Sequence, residues 1–139
     1  MIDSDEEREK IRESWEAVVK LRSFRHTVPL IKGTHVSLGY SIPDNFWNFP
    51  FFLAYAVLDD VLSVLQDEGL FNSGTWQLSK KMKASKSKIN WLDYEFIDRG
   101  RDARNDLSHK GVFISVEESF AYVEGIEREL QNWGILIEK

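Results

Sequence analysis

The sequence predicts an all-α fold: a four-helix (or five-helix) up-down bundle with a long irregular connection after the first helix. Three observations carry this. Apolar residues recur at three- and four-residue spacing over long segments. Alternating strand patterns are nearly absent. Capping residues open the periodic segments, and glycines close several of them. No internal repeat or low-complexity tail divides the chain, so residues 1–139 are expected to form a single helical domain.

The first helix is expected over residues 4–25. Ser4 is placed to cap it, acids fill its first turn, and Ile11, Trp15, Val18 and Val19 form its apolar face. Residues 26–45 carry two prolines, two glycines and scattered β-branched residues. They read as the long connection, with a short extended piece at 36–40. Residues 46–69 read as a second helix, apolar nearly all round and therefore central or at a subunit interface. Pro50 lies in its first turn and Gly69 at its end. A short helix is expected near 76–83, within a mixed stretch. A third long helix runs from about Asn90 to His109 and stops before Gly111. Ser115 with Glu118 makes a capping box for a final helix that Gly134 ends.

Composition narrows the function classes. Of the 139 residues, 42% are apolar and 29% charged, which suits a soluble folded domain rather than a disordered chain. No cysteine is present, so disulfides, thiolate catalysis and thiolate metal sites are excluded. His26, His35 and His109 show no ligand spacing, and neither do the acids; no metal and no cofactor is expected. The acidic start is the opposite of a signal peptide, and no unbroken apolar run reaches the roughly 18 residues a membrane span needs. The expected location is the cytoplasm, with no membrane partner. The net charge of −5 argues against non-specific coating of nucleic acid, yet residues 80–88 hold five lysines and no acid.

Chemistry concentrates in RGRDARNDLSHKG, residues 99–111. At about 100° per residue, Leu92, Phe96, Ala103 and Leu107 make one stripe, the expected core face. Asp98, Arg101, Asp102, Asn105 and His109 lie opposite; Arg101, Asn105 and His109 share a face at i, i+4 and i+8. Arg104 stands between the two faces, where its side chain reaches the core edge or a subunit boundary. A solvated helix face has the same pattern, and cations near a helix C-terminus complement its dipole.

The segment Arg104-Asn105-Asp106-Leu107-Ser108-His109 resembles the R-(N/D/H)-x3–5-H motif of the HEPN superfamily. There the motif lies near the end of a long helix in a four- or five-helix bundle. The likeness covers the motif and the helical layout over residues 46–134. It implies a HEPN-like fold and a metal-independent endoribonuclease, found as a toxin or phage-defence effector. Such an enzyme works as a homodimer with two motifs in one cleft, and in some cases with a cognate antitoxin or inhibitor protein. Arg104, Asn105 and His109 then become the catalytic set. A histidine moves protons at neutral pH, an arginine fork stabilises the phosphate, and the asparagine orients the imidazole or the RNA. The products implied are a 2′,3′-cyclic phosphate and a 5′-hydroxyl. The likeness also covers non-catalytic modules that bind RNA, a nucleotide or a protein partner. Some members place a tyrosine two residues after the histidine as an AMP acceptor; Gly111 stands there, which removes that mode of control.

Secondary phosphate contacts are expected from Arg101, Lys80, Lys81 and Lys83, against a salt bridge to Asp98 for Arg101 and a solvated loop for the lysines. Arg99 is a weaker candidate, and His35 a candidate second acid–base group. Ser108 beside His109 is no nucleophile pair, because adjacent helix residues do not face each other. Phe46, Trp47, Phe49, Phe51 and Phe52 are expected in the core or a dimer interface rather than stacking on bases.

Overall fold

Ser4 accepts the Glu7 amide at 3.2 Å and so opens helix α1 (Asp5–Arg22), whose first turn is Asp5, Glu6 and Glu7. The computed structural model in which this cap is seen describes residues 2–23, 27–29, 35–37 and 44–137. Ile11, Trp15 and Val18 are buried on the inner face of α1, as the three-four spacing predicts. The connection contributes strands β1 (Thr27–Pro29) and β2 (His35–Ser37), paired antiparallel with Val28 opposite Val36. Of the extended piece expected at 36–40, Val36 and Ser37 lie in β2; residues 38–40 and His26 lie outside the described residues.

A 3-10 turn (Asp44–Trp47) leads into α2 (Asn48–Asp67), the central helix. It packs against α1, α3 (Leu78–Ser85), α4 (Tyr94–Lys110) and α5 (Val116–Asn132). Phe51, Ala54, Tyr55, Leu58, Leu62 and Leu65 are fully buried along it. Asp44–Asp67 is apolar and long enough by composition to cross a membrane, at mean hydropathy 1.4. However, 56% of the most apolar window is buried within the protein, as in the core helix of a helical domain. The described residues are therefore all-helical apart from this strand pair: five helices, with α3 the short fifth.

The short helix expected near 76–83 is α3, which runs on to Ser85, so the lysines up to Lys83 stand on a helix and not in the alternative solvated loop; Leu78, Lys81, Met82 and Ser85 make its buried stripe at i, i+3, i+4 and i+7. The corrections concern α4. In α4 the inward positions are Ile97 and Gly100; Phe96, Ala103 and Leu107 are half-buried beside them. Leu92, expected on the core stripe, precedes the helix and is exposed. The expected start near Asn90 moves to Tyr94, because Asp93 is the cap: its carboxylate accepts the Phe96 amide at 3.3 Å.

The indole N–H groups of Trp15, Trp91 and Trp133 find acceptors in Glu127, Ser85 and the Asn90 carbonyl. Ser115 caps α5 by accepting the Glu118 amide at 3.1 Å, and Gly134 (φ 74°) follows its end.

Candidate functional site

Helix α4 carries the arginine–histidine motif, and both its ends are fixed. At the start, the buried Glu129 carboxylate on α5 accepts the Leu92 amide at 2.7 Å and the Asp93 amide at 2.9 Å. Burial pushes the Glu129 carboxyl above its ordinary value, against the pull of those two amides. At the far end, Gly111 adopts φ 67°; its amide donates to the Leu107 carbonyl and the Val112 amide to that of Asp106. The chain then docks on α2. The Asn48 side chain donates to the Ile114 carbonyl at 3.2 Å and accepts the Ile114 amide at 3.0 Å.

Midway along α4, the Tyr55 hydroxyl donates to the Ile97 carbonyl at 2.7 Å. A β-carbon at Gly100 would lie 1.9 Å from that hydroxyl oxygen, so only glycine admits the contact. Burial raises the Tyr55 pKa strongly, helped by Tyr122 and Asp98 and opposed by Arg101 and Arg104, so the hydroxyl stays a donor throughout the physiological range.

Within this frame the three residues picked out by the motif are spread rather than clustered. The Arg104 guanidinium lies over the Phe52 ring, 5.2 Å from its centroid, at the core edge between α4 and α2. Its Nε is buried and has no hydrogen-bond partner among the described residues. Asn105 is half-buried and His109 exposed in the last turn. Among the described residues, no side chain of the three hydrogen-bonds another. The angular offset of Arg104 from His109, about 140° at 100° per residue, persists in the folded helix. The folded chain thus does not bring the three side chains together.

Beside Arg104 lies an uncovered apolar face. Phe52 is 39% exposed and Phe49 64% exposed on α2, and Val112 and Phe113, held near them by the Asn48 clasp, are each about half exposed. Phe51, in contrast, is fully buried, and Phe46 and Trp47 pack edge-on to each other. The aromatic run therefore divides between core and surface.

The secondary set also divides. Lys81 is not a surface cation: its ammonium is buried, donates to Ser63 Oγ at 2.6 Å and pairs with the Asp59 carboxylate on α2. It cannot reach RNA, which corrects the expectation for this residue. Arg101 forms the expected bridge to Asp98, with Nε to Oδ1 at 2.8 Å, and also reaches Asp102 at 3.4 Å. It nonetheless lines a cleft of about 490 Å³ between α3 and α4, together with Lys80 and Lys83. The same cleft is lined by Lys86, a member of the 80–88 lysine cluster, and by Tyr94, which sequence reasoning passed over; the i, i+3, i+6 spacing of Lys80, Lys83 and Lys86 was the available signal for the cleft. Arg99 is exposed, 5.7 Å from the Phe96 ring centroid, and Ser108 is exposed. No group of three His, Asp or Glu side chains among the described residues is arranged to hold a metal ion.

Compared with known proteins, the chain matches no family model, no curated protein and no solved structure.

Proposed function

We propose that this protein is a HEPN-type, metal-independent endoribonuclease that acts as a homodimer, in the manner of a toxin or phage-defence effector. The observation that carries the proposal is the position of Arg104, Asn105 and His109. They occupy the C-terminal half of α4, beside the apolar face formed by Phe49, Phe52, Val112 and Phe113. Pairing two copies across that face covers the exposed phenylalanines and brings two motifs to one cleft, supplying the proximity that a single subunit lacks.

In that cleft one His109 takes the proton of a ribose 2′-hydroxyl as its oxygen attacks the adjacent phosphorus. The second His109 gives a proton to the departing 5′-oxygen. Arg104, permanently charged, stabilises the charge that grows on the phosphoryl oxygens. Asn105 orients the imidazole or the RNA. The products are a 2′,3′-cyclic phosphate and a 5′-hydroxyl.

The test is incubation of pure protein with total RNA in EDTA, with the fragment ends analysed chemically. Cleavage to cyclic ends that His109→Ala abolishes is the expected result. A His109→Ala protein that cleaves as fast as its parent sinks the catalytic assignment. An inert parent favours the second reading, a non-catalytic module that binds RNA. What supports that reading is the basic cleft between α3 and α4, which is complete in one subunit.

A further inference from the structure

We propose that the α3–α4 cleft seats the phosphodiester backbone of single-stranded RNA and feeds the strand along α4 toward His109. The path to His109 rests on the ribonuclease reading; the seat itself does not.

Four cations, Lys80, Lys83, Lys86 and Arg101, line this cleft against two carboxylates, Glu95 and Asp98, on a chain whose net charge is −5. Both carboxylates are already engaged, Glu95 by Lys86 at 3.0 Å and Asp98 by Arg101 at 2.8 Å. Lys80 and Lys83 are exposed and have no carboxylate partner among the described residues. They stand at i and i+3, so their ammonium groups project from one face of α3. The buried Lys81 between them shows that the cluster is not a simple solvated run: one lysine serves the core and its neighbours are directed outward.

The start of α3 adds to the positive field. Gln77 caps it with no side-chain hydrogen bond and its first turn holds no acid, while Ser79 and Lys80 of that turn line the cleft. The positive end of this helix is therefore uncompensated next to two unpaired lysines. On the opposite wall, Arg101 is the first residue of the i, i+4, i+8 line that ends at His109, about 12 Å further along the helix axis at 1.5 Å per residue. A strand whose phosphates rest on Lys80, Lys83 and Arg101 meets the candidate catalytic histidine by following that line.

The experiment is fluorescence anisotropy of a short labelled single-stranded oligoribonucleotide with His109→Ala protein, in which cleavage is not expected. Adding Lys80→Glu and Lys83→Glu should raise the Kd at least about tenfold. Lys10→Glu with Lys20→Glu on α1, the same change in net charge, should raise it by less than about threefold. Lys80→Ala with Lys83→Ala should flatten the salt dependence of binding by about 1.4 in log–log slope, as for two phosphate contacts on a single strand; this reads the seat even where the double glutamate fails to fold. Equal effects of the two charge reversals overturn the proposal, as does the absence of binding. Displacement by ATP or by polyglutamate as effective as by unlabelled RNA also overturns it, pointing to a nucleotide or acidic-peptide site. Cleavage is scored separately on the parent protein: binding without cleavage leaves the seat standing and removes the nuclease.

Discussion

The Tyr55 hydroxyl reaches the Ile97 carbonyl only because residue 100 has no side chain. That contact sets how closely α4 lies on the central helix. Gly100→Ala should destabilise the protein by about 1–3 kcal/mol in urea unfolding, since the added methyl meets the Tyr55 hydroxyl and the Tyr122 ring. Tyr55→Phe should cost about 1 kcal/mol for the lost bond. Combining them should cost less than the sum, because removing the hydroxyl relieves the worst clash. Strict additivity would show that the close approach does not exist in solution.

Lys81 has a core address, and its substitution should be felt in stability and not in RNA affinity. Lys81→Ala should cost about 3 kcal/mol, leaving the Asp59 carboxylate and Ser63 without their cation. Lys81→Met, which keeps the volume, should cost less. An RNA-binding defect in a well-folded Lys81→Met protein would contradict the buried placement.

Glu129 gives a pH signature. Its folded-state pKa lies above the ordinary value of 4.5, so its contribution to stability is complete below pH 4.5. That contribution is lost as the pH rises through the folded value. Glu129→Gln removes this decline, so between pH 4.5 and neutrality the variant's stability should rise more, or fall less, than the parent's. One amide, Leu92 or Asp93, also loses its acceptor, a pH-independent offset of about 1–3 kcal/mol. Parallel curves for parent and variant across that range would show that the burial effect is absent.

Phe113→Asp tests pairing through the apolar face. The side chain is half exposed, so the subunit should keep its stability within about 0.5 kcal/mol. Sedimentation should then show loss of the dimer, and RNA cleavage should fall at least tenfold. Mixing inactive Arg104→Ala and His109→Ala proteins should restore part of the activity if the cleft draws residues from both subunits. A monomeric, fully active Phe113→Asp protein would refute the shared cleft.

Much of the fold was legible in the sequence because its punctuation is local. Ser4, Ser115, Gly111 and Gly134 act within a turn of their own positions, and the structure uses each as the sequence implied; Glu118 of the expected capping box accepts the Ser115 hydroxyl. The inner face of α4 was harder to read. Its closest approach to the core is made by Gly100, which carries no hydrophobic signal, while the apolar Leu92 lies ahead of the helix in solvent. Lys81 misled for a related reason: a lysine at a core position looks like its neighbours until Asp59 and Ser63, about twenty residues earlier, are seen opposite it. The cleft needed α3 and α4 to be brought together, and only the spacing of its three lysines was visible beforehand.

The two ends of α4 answer to different helices. Its beginning is gripped by Glu129 on α5, and the chain just past its end by Asn48 at the start of α2. Whatever prises the first turn of α2 outward therefore drags the histidine end with it and leaves the lysine-lined end where it was. In a molecule that binds and cuts RNA as proposed, gripping a strand and cutting it would be separable acts, the second alone depending on the buried Asn48 clasp.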